Sequence, residues 1–209
     1  MSQLYRQGRY DCLYDLMSNL ITKTTELAMA ITLEYVRVGD IVIDATCGTG
    51  RDTVTLARAV GADGKVHAFD IQKSALEITG TRVLECDPDN DELQVELHED
   101  SFCNMGSYLP ENSAAAAVFN LGYLPGGDKS ITTTAETTVE GLEQALRIIK
   151  PGGIVTVVMY DGHEAGTEEK ARVMEWAGDL DPAKYHAAYV NLINQKNHPP
   201  EIMWITKKK

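Results

Sequence analysis

The segment that most constrains the fold is 41–53, which reads IVIDATCGTGRDT. Its first residues are apolar and β-branched up to Asp44, as in a strand that is buried on both faces of a parallel sheet. Gly48 and Gly50 then allow a tight turn, because glycine adopts backbone conformations that other residues avoid. Apolar residues recur at helical spacing over 53–60. The order of strand, glycine turn and helix predicts a nucleotide-type site at the carboxyl edge of an α/β sheet.

The residues of this turn distinguish between two classes of ligand. A dinucleotide site needs a third glycine, so that a pyrophosphate can approach bare helix amides, and Thr53 occupies that position here. Asp52 also places a negative charge at the helix start, where it would repel a pyrophosphate. S-adenosylmethionine carries a sulfonium cation and no phosphate, so the acidic turn favours this cofactor. A strand, turn and helix without any ligand is the alternative.

The composition excludes some classes of function and partner. With 209 residues, of which 44% are hydrophobic, the chain has the size of one well-buried domain. Its 31 acidic and 19 basic residues give a net charge of −12, which argues against broad nucleic-acid binding and leaves a local basic site open. The four cysteines form no metal-binding pattern, so we expect reduced thiols and no metal site. Because the sequence has no signal or membrane-spanning pattern, we expect a cytoplasmic protein without a membrane partner.

Hydrophobic periodicity predicts the remaining elements. Six further strands are expected at 66–69, 93–98, 114–119, 154–159, 186–193 and 202–206. Helices are expected at 25–36, 73–84, 137–149 and 168–180, and the acidic segment 87–92 is expected to be a solvated turn. A short polar loop joins the last two strands, so the last strand would run antiparallel. We therefore predict an α/β, Rossmann-like fold with a seven-stranded, mostly parallel sheet, formed by residues 25–209 after an N-terminal helical extension at 1–24.

An acidic residue ends the second predicted strand. Asp70 lies 20 residues beyond Gly50, about where α/β nucleotide sites place a carboxylate against ribose hydroxyls. A carboxylate accepts both hydrogens of a vicinal diol, and Ile71 and Gln72 would then flank the adenine. The alternative is that Asp70 caps the helix that follows.

The loop after the fourth predicted strand, NLGYLPGGDKS at 120–130, contains groups that can hold an amine. Asn120 Oδ1 and the carbonyl of Leu121 can accept the hydrogens of an amine whose lone pair attacks a methyl group. Tyr123 can stack on a base. A glycine-rich loop with a capping asparagine is the alternative, although loops at strand ends often carry function.

Two later segments add candidates. The fifth predicted strand would deliver Tyr160, Asp161 and His163 to the same edge of the sheet. Asp161 and His163 are candidate proton acceptors, whereas a lone histidine in a loop is more often only a surface residue. The loop at 194–200 is polar and weakly basic, so it either contacts RNA or is only a turn.

These segments together resemble the class I S-adenosylmethionine-dependent methyltransferases and, among them, a small bacterial rRNA methylase family. The resemblance is carried by DATCGTGRDT, Asp70, NLGYLPGGDKSITT, the turn IKPGG before a fifth strand, YDGHEAGTEE and NLINQKNHPP. The loop at 120 is similar to the N/D-P-P-Y/F motif of enzymes that methylate amino nitrogens, with Leu121 and Gly122 in place of the prolines. The resemblance implies S-adenosylmethionine as cofactor, S-adenosylhomocysteine as product, and methylation of the amino nitrogen of 5-aminomethyl-2-thiouridine at the tRNA wobble position. It also implies tRNA, bound at its anticodon region, as the partner.

The motifs and the resemblance together indicate three sets of site residues. The expected cofactor contacts are Asp44, Thr46, Gly48, Thr49, Gly50, Arg51, Asp70, Ile71, Gln72, Asp100, Ser101, Phe102 and Asn120. The expected substrate contacts are Leu121, Tyr123, Lys129, Ser130, Tyr160, Asn194 and Lys196, and the expected catalytic residues are Asn120, Tyr123, Asp128 and His163. The family usually carries Asn at the positions of Thr49 and Arg51 and His at that of Phe102, so this chain departs from it there.

Other functions stay open at this point. The acceptor is alternatively rRNA or a small-molecule amine, and the net charge of −12 favours the small molecule. A non-catalytic scaffold that binds S-adenosylmethionine, and a homodimer, are further alternatives. An alkylamine is mostly protonated at neutral pH, so the reaction needs a proton acceptor, for which Asp128, Asp161, His163 and water are the candidates.

Overall fold

The computed structural model describes residues 23–89, 93–122, 132–160 and 164–209. Within these ranges, one sheet contains β1 Ile41–Asp44, β2 Lys65–Asp70, β3 Val95–Glu99, β4 Ala114–Asn120, β5 Ile149–Met159, β6 Tyr185–Val190 and β7 Glu201–Lys207. The α-helices are α1 Thr24–Leu33, α2 Arg51–Val60, α3 Lys73–Cys86, α4 Ala135–Ile148 and α5 Glu164–Gly178, and a 3-10 helix, Phe102–Ser107, follows β3. No helix in the described part of the chain is long and apolar enough to cross a membrane.

The strand order confirms the predicted sheet. The strands lie in the order β3-β2-β1-β4-β5-β7-β6. The first five strands, β1 to β5, all run parallel to one another. β7 runs antiparallel to both of its neighbours, β5 and β6. Between β1 and β4 the winding of the chain reverses direction, and α/β proteins bind ligands in the crevice that forms at this switch point.

Apolar residues fill both faces of the sheet. On one face, Ile43, Phe69 and Phe119 pack with Leu142 of α4 and Met105 of the 3-10 helix, and all five are fully buried. On the other face, α2 and α3 cover a second cluster of Val42, Leu56, Val66, Leu76 and Val118. α1 covers the far end, where Ala28 packs against Val158 and Ile202. The β1 strand is therefore buried on both faces, as its sequence predicts.

Several predicted boundaries and one predicted environment differ from the structure. β5 begins at Ile149 rather than at 154, α5 begins four residues earlier than expected, and β6 ends at Val190 rather than at 193. The prediction of a solvated turn is wrong for Asp87, which is 5% exposed and whose carboxylate accepts the N–H of Leu93 at 2.8 Å. Residues 1–22, which include most of the predicted N-terminal extension, lie outside the described residues.

A close contact between α4 and the 3-10 helix requires glycine at position 141. A Cβ atom added to Gly141 would lie 2.3 Å from Cδ2 of Phe102, well inside van der Waals contact. The ring of Phe102 is 9% exposed and packs edge-on against Phe119, with a centroid distance of 5.6 Å. The α4 helix therefore approaches the 3-10 helix this closely only because position 141 has no side chain.

We expect the Gly141→Ala variant to be less stable than the wild type by up to about 2 kcal/mol in urea unfolding. Overpacking against Phe102 typically costs about 1–3 kcal/mol, and the better helix propensity of alanine recovers only about 1 kcal/mol. Gly178→Ala is the matched control, because a Cβ at this position meets no atom within 4 Å. Equal stabilities of the two variants would contradict the packing argument.

Candidate functional site

The turn after β1 holds its shape through backbone hydrogen bonds. The N–H of Gly50 donates to the carbonyl of Cys47 at 2.7 Å, and the N–H of Cys47 donates to the carbonyl of Phe69 at 2.9 Å. Gly50 has a φ of +74°, and a Cβ at this position would lie 2.9 Å from the Cα of Thr79 in α3. Only glycine satisfies both constraints. This turn therefore brings the start of α2 close to α3 and leaves its own backbone near the switch point.

Asp44 lies beneath the turn and has no exposed surface. Its carboxylate accepts the hydroxyl hydrogen of Thr53 at 2.6 Å and the N–H of Thr46 at 3.4 Å. Burial, and then the negative charges of Asp52 and Asp70, raise the pKa of Asp44 to about 7. Asp44 therefore holds the turn against α2, and its burial does not favour the predicted direct contact with a cofactor.

Asp70 connects the end of β2 to the same turn. One carboxylate oxygen accepts the N–H of Gly48 at 3.1 Å, and the other accepts the N–H of Gln72 at 2.9 Å. Each oxygen can still accept a further hydrogen bond, and burial raises the pKa of the carboxyl group. The N-cap of α3 is Gln72 and not Asp70, so helix capping does not explain this residue. Ile71 beside it is 56% exposed.

Asp100 and Ser101, at the end of β3, are engaged in their own loop. The carboxylate of Asp100 accepts from Nδ2 of Asn104 at 2.7 Å and from the hydroxyl of Tyr108 at 2.8 Å. These two hydrogen bonds hold the pKa of Asp100 below its usual value. Ser101 caps the 3-10 helix by accepting the N–H of Cys103. The predicted adenine contacts of both residues stay predictions.

Asn120, the last residue of β4, is fixed from two sides. Its backbone N–H donates to Oγ1 of Thr46 at 2.7 Å, which joins it to the turn after β1. Its Nδ2 donates to Oδ2 of Asp52, in the first turn of α2, at 2.8 Å. Burial raises the pKa of Tyr160, which follows the last residue of β5, and the negative charge of Asp52 raises it further. The structure therefore brings together three predicted site residues, Thr46, Asn120 and Tyr160, around Asp52.

Asp52 is the site residue that the sequence-based reasoning did not assign. Burial raises the pKa of its carboxyl group, while the Asn120 hydrogen bond and the positive charge of Arg51 lower it. Asp52 and Asn120 are 68 residues apart in the chain, so no local spacing indicates the contact. The one available signal was an acidic residue in the first turn after a glycine motif.

The remaining predicted site residues differ in how far their side chains are exposed. Arg51 is exposed, and Thr49 is half-buried with its carbonyl accepting a hydrogen bond from Nε of Arg82. The ring of Phe102 lies in the core described above. The side chain of Leu121 is 3% exposed, so only its backbone carbonyl is suited to the predicted substrate contact.

Gly122 and Thr133, which flank the segment after β4, are hydrogen-bonded to each other. The N–H of Gly122 donates to the hydroxyl of Thr133 at 2.8 Å, and the N–H of Thr133 donates to the carbonyl of Gly122 at 3.1 Å. The predicted residues between them, Tyr123, Asp128, Lys129 and Ser130, lie outside the described residues, as do the candidate proton acceptors Asp161 and His163.

The polar loop between β6 and β7 lies at the same edge of the sheet. Met159 pairs with Glu201 and Val190 pairs with Ile202, so the ends of β5 and β6 lie at one edge of the sheet, on either side of the start of β7. Asn194 and Lys196 of this loop are exposed. The loop is therefore at the edge that also presents Asn120 and Tyr160.

Among the residues that the structure describes, one group of potential metal ligands lies on β2 and β3. His67 Nδ1 and His98 Nε2 are 3.0 Å apart, and Glu96 is nearby. Burial lowers the pKa of both histidines, and two neutral imidazoles at this distance share one hydrogen bond. Phe69 stacks on His98 with a centroid distance of 4.4 Å. The hydrogen bond and the stacking account for this pair without a metal.

A family model described as "Putative rRNA methylase" matches residues 66–206 of the chain. This range runs from Val66 in β2 to Thr206 in β7 and contains Asp70, Asn120 and Tyr160.

Three relatives extend this match over most of the chain. A tRNA (mnm(5)s(2)U34)-methyltransferase, chloroplastic, from Arabidopsis thaliana is 38% identical, over 85% of this chain and 67% of that protein. A solved structure from Clostridium thermocellum, described as a putative rRNA methylase, is 40% identical with a TM-score of 0.81, covering 87% of this chain and 95% of the other. A solved structure from Streptococcus mutans, described as a putative methyltransferase in complex with SAH, is 32% identical with a TM-score of 0.77, over 88% and 97% of the two chains. By sequence and by fold, the chain therefore belongs to the "putative rRNA methylase" family.

Proposed function

We propose that this protein is an S-adenosylmethionine-dependent methyltransferase that methylates the amino nitrogen of 5-aminomethyl-2-thiouridine at the tRNA wobble position. The observation that carries the proposal is Asn120, a hydrogen-bonding side chain held at the switch point by Thr46 and Asp52. The family membership and the name of the Arabidopsis relative support the reaction and the acceptor.

The residues at the ends of β1 and β2 fit an adenosyl group with a cationic sulfur. Asp70 retains acceptor capacity on both oxygens, which suits a ribose diol, and Ile71 presents an exposed apolar surface beside it. Asp44, Asp52 and Asp70 lie close enough for Asp52 and Asp70 each to raise the pKa of Asp44. A site with three neighbouring carboxyl groups is favourable for a cation and unfavourable for a pyrophosphate.

S-adenosylmethionine, held by residues at the ends of β1 and β2, would supply an electrophilic methyl group to the amine nitrogen and would leave as S-adenosylhomocysteine. Asn120 and the carbonyl of Leu121 hold the amine hydrogens and so keep its lone pair in line. The chain supplies orientation and exclusion of water, with no covalent enzyme intermediate. Asp128, Asp161, His163 or water accepts the proton that the amine must lose.

The tRNA would contact one edge of the protein. Tyr160 is 39% exposed there, and an aromatic ring at this position is suited to stacking on a base. Asn194 and Lys196, exposed in the β6–β7 loop, lie on the same edge and are suited to backbone contacts. Since the net charge is −12, tRNA binding would depend on this local surface and on the loop at 123–131. The same net charge favours the second candidate, a small-molecule amine.

Labelled S-adenosylmethionine should transfer its methyl group to tRNA that carries unmethylated 5-aminomethyl-2-thiouridine. The purified protein is incubated with this tRNA, with total rRNA, with small alkylamines, and without an acceptor. Nucleoside analysis should find the label in the side chain at C5 of the wobble uridine. Label in rRNA alone, or in the amines alone, would replace the proposed substrate. Binding of S-adenosylhomocysteine without transfer to any acceptor would indicate a scaffold.

The Asn120→Ala variant should lose at least about 100-fold in kcat, since one correctly placed polar group at a reacting centre is typically worth this much. Its affinity for S-adenosylhomocysteine, measured by calorimetry, should stay within about tenfold of wild type, because the cofactor contacts of β1 and β2 remain. Asn112→Gly is the control, because Asn112 is exposed at the opposite end of β4 and has a φ of +59° that glycine accepts. Wild-type kcat in Asn120→Ala would remove this residue from the amine-holding role.

The Asp70→Asn variant should bind S-adenosylhomocysteine about 10- to 100-fold more weakly. A hydrogen bond to a charged group contributes about 1.5–3 kcal/mol, and the asparagine would also present a donor to the N–H of Gly48 or Gln72. Asp63→Asn, in the exposed turn before β2, should leave the affinity unchanged. Calorimetric titration of both variants checks this, and equal affinities would argue against ribose recognition by Asp70.

A further inference from the structure

We propose that Asp52 is a positioning residue for methyl transfer, which sets the orientation of the Asn120 amide so that Oδ1 faces the amine. This inference rests on the proposed function, because the amine is the acceptor in that reaction. Asp52 itself touches neither reactant in this account and acts through Asn120.

The proposal begins with the symmetry of an asparagine side chain. The Oδ1 and Nδ2 atoms of an amide have nearly the same size, so packing alone distinguishes poorly between an amide and its flipped form. An ionised carboxylate only accepts hydrogen bonds. Because Asp52 Oδ2 lies 2.8 Å from Asn120 Nδ2, the flipped amide would place two acceptor oxygens against each other. Asp52 therefore selects one of the two orientations.

The selected orientation is the one that the reaction needs. With Nδ2 held by Asp52, Oδ1 is the amide atom that can accept an N–H of the substrate amine. In the flipped form, Nδ2 would donate to the amine lone pair and so block its attack on a methyl carbon. The backbone of Asn120 is already fixed by Thr46 Oγ1 and by the pairing of β4 with β5 at Val158. The orientation of the side chain is the remaining variable, and Asp52 controls it.

The surroundings of Asp52 affect how strongly it acts. Its carboxylate is at the N-terminus of α2, where the helix dipole favours a negative charge, and the charge of Arg51 does the same. Burial opposes ionisation, and the charge of Asp52 in turn raises the pKa of Tyr160. The pKa of Asp52 is raised on balance. As the pH falls through this pKa, Asp52 gains a hydrogen that it can donate to Oδ1, and the flipped amide becomes favourable.

A reciprocal exchange of the two side chains tests the proposal. In Asn120→Asp two carboxylates face each other, and kcat should fall at least about 100-fold. In Asp52→Asn a neutral amide faces Asn120 and accepts either orientation, so kcat should fall about tenfold or more. In the double variant the amide introduced at position 52 can donate to the carboxylate introduced at position 120, whose second oxygen then accepts from the amine. We expect its kcat to recover at least about tenfold over Asn120→Asp.

Two measurements separate positioning from loss of structure. Affinity for S-adenosylhomocysteine, which carries no sulfonium charge, should stay within about tenfold of wild type in all three variants, so that the loss appears in kcat. The urea midpoint should stay close to wild type in Asp52→Asn and in the double variant, where no two carboxylates face each other. Glu26→Gln is the control, because Glu26 is an exposed acid in the first turn of α1. A double variant as inactive as Asn120→Asp, with fold and cofactor affinity intact, would overturn the proposal.

The pH profile gives a second signature. If only the amine has to lose a proton, log kcat/KM rises with pH with a slope of one below the pKa of the amine. In the wild type, the ionisation of Asp52 should add a second unit to this slope at low pH. Asp52→Asn should show a slope of one throughout. A wild-type profile in this variant would contradict the proposal.

One readout does not depend on activity, so the inference can be tested even if the proposed acceptor is wrong. The side-chain amide of Asn120, followed by ¹⁵N NMR and assigned with Asn120→Ala, should shift as Asp52 titrates in the wild type. In Asp52→Asn the same resonance should not show this titration. An Asn120 resonance that is insensitive to pH in the wild type would overturn the inference, whereas a missing methyl transfer with an intact titration would overturn the function alone.

Discussion

The hydrogen bond between the buried carboxyl group of Asp44 and the hydroxyl of Thr53 is the interaction on which the site depends. It joins the last residue of β1 to the first turn of α2, at 2.6 Å and without contact to solvent. Because α2 begins where this bond fixes it, Asp52 lies against Asn120 at the end of β4. The turn between them then supplies Thr46 for the backbone of Asn120. The site is thus built from one buried strand end outward.

The electrostatics of the site follow from the same crowding. Asp44, Asp52 and Asp70 all have pKa values raised chiefly by burial, so their ionised forms are less favourable here than in water. A bound cation relieves this cost, whereas a bound phosphate increases it. The fold alone would accept many nucleotides at its switch point. The acidic residues around the turn restrict that choice to a ligand such as S-adenosylmethionine.

The sequence predicted the order of the elements, the sheet and the strand ends, because burial on both faces and glycine turns leave clear patterns. It did not predict the contact between Asp52 and Asn120, since a hydrogen bond across 68 residues leaves no local pattern. Motif positions also did not show which side chains pack in the core, so Phe102 is predicted as a cofactor contact although its ring lies there. The contact predicted for Leu121 is through its backbone carbonyl, which the burial of its side chain does not affect. Asp87 was misjudged because a carboxylate that accepts a backbone N–H can be buried.

The paired hydrogen bonds between Gly122 and Thr133 have a consequence for how this scaffold can diverge. Because these hydrogen bonds hold the two ends of the intervening segment together, its length and composition can change without altering the register of β4 or the start of α4. The entropy of closing such a segment grows only with the logarithm of its length, by about 0.6 kcal/mol for each doubling. The core would therefore tolerate insertions and deletions between Gly122 and Thr133. New acceptors can be acquired by exchanging that segment while the methyl donor site is inherited unchanged.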